Sequence, residues 1–341
     1  MGSKASCSII NLVVLRRSVC TVIVLAVTMA DHTRELTFPF ARRQTFHPPP
    51  ENADLRHKCP IAKVKLFDGS DSWLLTKHKD CCEALASPHL SADRRHPAYP
   101  EIHEGGAKAK EQRPTFVNLD NPEHDEQRAM LESWFTPGAA DKLRPMMRKV
   151  VESKLDDLIR KHGEHTDKPV DFVQDFAGLV PPQVIYHLLG IPEEDIPELS
   201  KDSEVRTSTA RDAAQTSSQN LQKYMKDFVH QRVEQPKDDL ISTLVKGPYK
   251  QDRLTEEDIV NLAFLVLVAG NAALINSIVL GIVTLQLHPQ QLEELKKNPN
   301  LAKNVVGELT RYHTASALNS RRAVKEDTEI GGQVSLLALL T

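Results

Sequence analysis

Cysteine is scarce in this sequence: Cys7, Cys20, Cys59, Cys81 and Cys82 are an odd number, and none stands in the paired Cys-x-x-Cys spacing of a zinc site. A disulfide scaffold is excluded too, and a reducing compartment follows. Neither sign of charge is in excess. The formal charge is only -3, with acids and bases interspersed, so there is no electrostatic footprint for nucleic acid or an anionic membrane. A Gly-x-Gly-x-x-Gly dinucleotide fingerprint is absent as well. Two stretches lack particular charges: no acid precedes Asp31, and no charged residue of either sign lies between Ile259 and Leu287.

What remains describes a globular protein. At 341 residues, 40% hydrophobic and 26% charged, the chain can build a substantial core, and its length allows one large domain or two ordinary ones. Residues 1–30 read as a leader, with Lys4, Arg16 and Arg17 their only charges. The apolar run Ser18 to Ala30 is shorter than the roughly 20 residues that span a bilayer. A mitochondrial presequence, a signal-like segment and an upstream start codon with Met29 as the true start all stay open. An intracellular protein, cytoplasmic or mitochondrial, is the expectation, with membrane or secretory targeting as the alternative.

Past Pro48-Pro49-Pro50, the segments Val64 to Phe67 and Trp73 to Thr76 flank Asp68-Gly69-Ser70 and predict a β-hairpin. From His78 the pattern turns helical, and Cys81 and Cys82 read as ordinary packing thiols. A Gly- and charge-rich loop from Asp93 to Arg113, with no apolar face to tie it down, has the character of a ligand border. Apolar residues three and four apart predict helices over Glu123 to Phe135, Ala139 to His162, Val173 to Leu189 and Asn220 to Gln235. Leu188-Leu189-Gly190-Ile191-Pro192 supplies a stop signal. Thr255 and Asp258 predict a capped start for one long helix running to His288-Pro289, roughly 45 Å at 1.5 Å per residue. A membrane span and a buried core helix both fit that run, and the spacing of Asn261, Asn271, Asn276 and Gln286 through it favours burial. The fold class is mainly α with minor β.

Three motifs occur in one order. Asp120-Asn121-Pro122-Glu123-His124 with Arg128 comes first, Ala269-Gly270-Asn271-Ala272 in the long helix second, and Glu308-Leu309-Thr310-Arg311 before Tyr312-His313-Thr314-Ala315-Ser316 third. His124 and Arg128, four apart, can offer an anion two charge-assisted hydrogen bonds from one helix face. Gly270 costs a helix interior roughly 1 kcal/mol against Ala and so suits a close approach to the backbone. Glu308 and Arg311 share a face where a bidentate pair can brace a core. Each motif alone has a plainer explanation, and Glu-x-x-Arg arises about once by chance in such a chain. Their joint order resembles the cytochrome P450 family. Val64 to Ser70, Thr76 to Asp80, Leu267 to Ala272 and Arg311 to Ala317 look like its fungal nitric oxide reductase branch, with the likeness running from Phe38 to Gly331.

The resemblance implies a P450 fold over 38–331 and a haem b whose propionates meet His124, Arg128 and Arg322, the last with Arg321 beside it. Gly270 would lie on the distal face, with Glu308 and Arg311 as the structural pair beneath. It implies NADH or NADPH as donor, with Arg94 and Arg206 lining the channel and Gly105 and Gly106 leaving room for a 2'-phosphate. It also implies nitric oxide as substrate, nitrous oxide as product, and hydride passing directly from the nicotinamide with no partner reductase. Most family oxygenases carry an acid followed by Thr or Ser in the distal helix, where this chain has Asn271 and Ala273. That disfavours oxygen activation and leaves proton delivery to water, Asn271 and Ser316, across Ala273 where this branch has Thr. After Gly331-Gly332 the sequence departs into an apolar tail, 332–341, and no cysteine here stands in the family's iron-ligating loop. A haem-free or aggregating, catalytically incomplete chain is therefore expected. A monooxygenase fed by a redox protein and a non-catalytic product are the alternatives.

Overall fold

The computed structural model describes residues 36–43, 47–104, 113–163, 168–199, 211–313 and 320–335. Residues 1–30, Gly105, Gly106, Arg206, Ser316 and the tail from Leu336 lie outside them. The chain forms two compact units, one of 1–120 with 320–341 and the other of 121–319.

In the first unit the hairpin forms where the turn residues place it. β1 (Ile61–Lys65) pairs antiparallel with β2 (Asp71–Leu75), Ile61 opposite Leu75 and Lys65 opposite Asp71. Gly69 supplies the positive φ of +82°, which costs a residue without Cβ nothing. Asp68 Oδ1 accepts from the Ser70 amide at 3.0 Å. α1 (Pro50–Lys58) buries Leu55 against Cys59 and Ala62, and α2 (His78–Ala86) follows the hairpin. β3 (Leu90–Ser91) pairs antiparallel with β4 (Ala323–Val324), and β5 (Thr328–Ile330) pairs with β6 (Gln333–Ser335). The predicted loop from Asp93 is tied down after all, since Tyr99, Glu101 and Ile102 are buried.

The second unit is helical. α3 spans Glu123–Glu132, and α4 spans Pro137–His162 with Thr136 Oγ1 capping the Ala139 amide at 3.1 Å. The helix expected from Val173 starts later. Val173–Ala177 is a π-turn, and α5 (Val180–Leu189) begins after it, the diprolyl step Pro181-Pro182 falling in its first turn where no amide is needed. Gly190, in the left-handed region at φ +81°, ends it.

α6 (Arg211–Glu234) buries Leu221, Met225, Phe228 and Val229, which recur at three and four residues. Beside it, α7 (Leu240–Leu244) is capped by Asp239. That carboxylate also takes Arg232 Nε at 2.7 Å, both side chains being only 5% exposed, while Arg232 Nη2 donates to the Gly190 carbonyl at 2.7 Å. One buried ion pair thus joins the ends of three elements.

The long uncharged run is two helices. α8 (Glu256–Ala269) starts with the expected box, Asp258 Oδ2 accepting from the Thr255 amide at 2.8 Å and Thr255 Oγ1 from the Asp258 amide at 3.2 Å. It buries Ile259, Leu262, Ala263, Val266 and Leu267 against α5, α6 and α7. α9 (Ala272–Leu287) follows a break at Gly270–Asn271 and buries almost nothing beyond Gly281. α10 (Pro289–Lys297) and α11 (Ala302–Tyr312) bury no side chain.

Candidate functional site

At the break, the Gly270 amide still reaches the Val266 carbonyl at 3.1 Å, but the Asn271 amide reaches only back to Val268, at 3.5 Å. Regular pairing resumes with the Ile275 amide on the Asn271 carbonyl at 3.0 Å. The expectation of a continuous 45 Å rod is therefore corrected. A Cβ at Gly270 would stand 2.6 Å from Ile185 Cδ1, so the missing side chain admits the close approach of α5.

Asn271 is buried, and its Oδ1 has no hydrogen-bond donor among the described residues. A buried acceptor in that condition costs about 1–3 kcal/mol, and such atoms repay a functional explanation. Ala269 and Ala273, four apart, are both exposed. Asn271, at the break between them, is buried where the two alanines are open. A ligand at the exposed alanines would meet two methyl groups. The Ala273 carbonyl accepts from Ser277 Oγ at 2.8 Å, so the nearest hydroxyl along the helix is already engaged.

On α3, Arg128 is exposed and His124 Nδ1 lies 2.7 Å from Asp125 Oδ1. Both stand on one face, as their spacing requires. The Glu308–Arg311 pair on α11 is bidentate as expected, Nε to Oε2 at 2.7 Å and Nη2 to Oε1 at 2.6 Å. It does not brace a core here, because the two side chains are 61% and 69% exposed. Each partner still biases the other, Arg311 holding the Glu308 carboxyl below its ordinary range.

In the first unit, Arg94 does not present an open fork. Its Nε and Nη2 donate to Glu101 Oε1 and Oε2 at 2.6 and 3.1 Å, and Arg321 Nη1 binds Oε2 as well. Burial alone would raise the Glu101 carboxyl, but Arg94 and Arg321 together hold it below the usual range. Arg321 also lies over the Tyr99 ring, 5.3 Å from its centroid, and Arg322 Nη1 donates to the Arg321 carbonyl at 2.8 Å. Glu101 is the residue that sequence reading missed. Its partners are seven and 220 positions away, separations that no periodicity marks.

No family model matches the chain. Individual proteins do. It is 43% identical over 300 residues to cytochrome P450 55A3 of Fusarium lichenicola, an alignment covering 87% of this chain and 72% of that protein. Cytochrome P450-SOY of Streptomyces griseus is 33% identical over 297 residues. Among solved structures, cytochrome P450 MoxA from Nonomuraea recticatena superposes with a TM-score of 0.81 at 32% identity, over 88% of this chain and 74% of that one. The chain is a cytochrome P450. It spans about three-quarters of the length of the relatives it matches.

Haem is the group a P450 implies, supplying an iron centre whose chemistry follows its axial ligand and pocket. The residues that the resemblance assigns to its distal and propionate sides are compatible with it. Ala269 and Ala273 leave a flat, uncrowded helix face, and α3 offers an exposed guanidinium from Arg128 beside His124. The thiolate side has no match among the described cysteines. Cys59 Sγ donates to the Ile61 carbonyl in the core at 3.3 Å, the Cys81 thiol is pushed up by burial, and Cys82 lies 3.6 Å from His78 Nε2 on α2. Among the described residues, no group of three or more His, Cys, Asp or Glu could hold a metal.

Proposed function

We propose that this P450 belongs to a nitric oxide reductase line, taking two molecules of nitric oxide, one NAD(P)H and a proton to nitrous oxide, NAD(P)+ and water. The carrying observation is the pair of residues at the helix break. Splitting dioxygen needs protons brought to the distal face, where the family's oxygenases keep an acid and a hydroxyl. Here Ala273 has no proton to give, and Asn271 is buried. Nitric oxide reduction asks for a hydride, which NAD(P)H supplies, and one proton, which water reaching an open face delivers. The higher identity to cytochrome P450 55A3, 43% against 33% for cytochrome P450-SOY, supports the same branch.

In this reading His124, Arg128 and Arg322 hold propionates, and Ser316 assists the proton. Arg94 and Arg206 with Gly105 serve the dinucleotide, NADPH as well as NADH. Arg94 would act through its Glu101-held guanidinium rather than as a free fork. No redox protein takes part.

A second reading, a monooxygenase drawing electrons from a redox protein, is favoured by relatives such as mycinamicin VIII C21 methyl hydroxylase, 30% identical.

The test uses a chimera carrying the C-terminal quarter of cytochrome P450 55A3, loaded with haem. Nitric oxide consumption with NADH or NADPH alone, one nitrous oxide per nucleotide oxidised, is expected. Turnover only after ferredoxin and its reductase are added would sink the reading in favour of the monooxygenase. On the unextended chain, the red-shifted carbon monoxide band of thiolate ligation should be absent.

A further inference from the structure

Cys81 and Cys82 are adjacent, yet α2 gives them opposite surroundings. The helix packs on β5, with Asp80 buried and Cys81 half-buried. Cys81 Sγ donates to the Leu75 carbonyl at 3.7 Å, and burial, with Asp80 beside it, pushes its thiol up. Cys82, about 100° further round the helix, is exposed. Only the first of the two is the packing thiol that the sequence suggested. Cys59 is shut in the core with its Sγ on the Ile61 carbonyl. Among the described cysteines, Cys82 alone is open to solvent.

The residues three and four back from Cys82 are its neighbours on the helix surface, and they are Lys79 and His78, both exposed. Both ring nitrogens of His78 lie close to Cys82 Sγ, Nε2 at 3.6 Å and Nδ1 at 3.7 Å. Leu85, three residues on, is 47% exposed. Glu83, the acid next in sequence, stands about 100° further round. One face of α2 thus carries an imidazole, an ammonium, a thiol and an aliphatic side chain together. An imidazole one turn back is a base placed to take the thiol proton, and the thiolate is the form that attacks. The Lys79 ammonium favours an incoming molecule that carries negative charge.

We propose that Cys82 is a thiol–disulfide exchange site for small anionic disulfides, with His78 as its base and Lys79 as its anion contact. The Cys82 thiol passes its proton to His78, and its sulfur attacks one sulfur of the incoming disulfide. The S–S bond of that molecule breaks as the new one to Cys82 forms, and the departing thiolate takes up the proton. Cys82 is oxidised to a mixed disulfide and one small thiol is reduced, so no other oxidant takes part. Cys81 does not resolve the adduct. Adjacent residues have Cα atoms about 3.8 Å apart, below the roughly 4.4–6.8 Å that a disulfide spans, and the Cys81 sulfur is engaged at Leu75. The mixed disulfide therefore stays until an external thiol removes it, a mark that follows the redox poise of the surroundings. It is independent of what the P450 reduces.

The full chain is treated with glutathione disulfide, quenched in acid and mapped by tandem mass spectrometry, fragment ions between residues 81 and 82 fixing the position. Addition to Cys82 about tenfold faster than to Cys81 or Cys59 is expected, with full reversal by dithiothreitol. His78→Gln, at an exposed position, should slow Cys82 about tenfold towards both glutathione disulfide and uncharged hydroxyethyl disulfide. Lys79→Glu should slow only the first, about threefold, while both variants keep the circular dichroism of the parent chain. Four outcomes overturn the proposal: equal rates at the three cysteines, a His78→Gln rate equal to the parent's, a Lys79→Glu loss of the same size with both disulfides, or loss of both thiols at 81 and 82 without added glutathione mass.

Discussion

α8 and α9 are consecutive, comparably apolar and free of charge past Asp258, yet their surroundings are opposite. α8 is enclosed by α5, α6 and α7, with Ile259, Leu262 and Ala263 essentially inaccessible. α9 meets a π-turn on one side and α11 on another, and leaves most of its side chains at least partly open. Hydropathy sets what a helix is able to bury. Neighbours decide what it does bury, and only the structure shows where the neighbours stop.

The contrast can be broken most forcefully through the ion pairs that flank the two helices. Asp239→Ala beside α8 strands a buried arginine and removes a helix cap, so urea denaturation should show a loss of about 3–5 kcal/mol. Glu308→Ala beside α9, in an exposed pair, should leave the denaturation midpoint unchanged within error. If the two variants lost stability equally, the asymmetry would be an illusion.

Next come the helices themselves. Leu262→Ala opens a cavity in a closed core and should cost about 2–5 kcal/mol. Ile282→Ala trims a side chain already in water and should stay within about 0.5 kcal/mol, with the same denaturation series as the check.

The smallest effect is a pH dependence at the π-turn, which packs against α4 and α9. Hydrogen bonds from Lys161, then His162, hold the Asp175 carboxyl below its ordinary value against the opposing pull of burial. A depressed carboxylate contributes stability that is present above its unfolded value, about 3.9, and is lost as pH falls through the lower folded one. Melting temperature measured from pH 5 down to pH 2 should therefore fall less steeply in Asp175→Asn than in the parent chain.

Much of the fold was legible in the sequence because its signals are local. The Asp68-Gly69-Ser70 turn, the Thr255–Asp258 box and the Gly190 stop each act within four residues, and each stands where it was expected. The helix break was hidden. Glycine inside a helical pattern marks a close approach without saying what approaches, and at Gly270 the answer, Ile185, is 85 positions away in sequence. The late start of α5 was hidden similarly, because the apolar spacing of Val173 to Ala177 suits a π-turn as well as an α-turn. Of the site, spacing joined Glu308 to Arg311 and put His124 and Arg128 on one helix, but it carries no account of exposure. The Glu308 pair in water and the buried, unpaired Asn271 amide oxygen were both beyond it.

Glu101 has a consequence for how the chain is made. It ties Arg94 to Arg321, and with the pairing of β3 to β4 and the Lys325–Asp120 contact it closes a unit whose two parts flank the whole second unit. During synthesis the second unit emerges complete while the first still waits for its closing strand. Looping out so long a segment adds little entropy beyond that of a shorter one, since closure cost grows only with the logarithm of length. The delay itself is what matters: until residue 321 leaves the ribosome, Glu101 and Arg94 have only each other, and the edge of β3 stays unpaired and open to wrong partners.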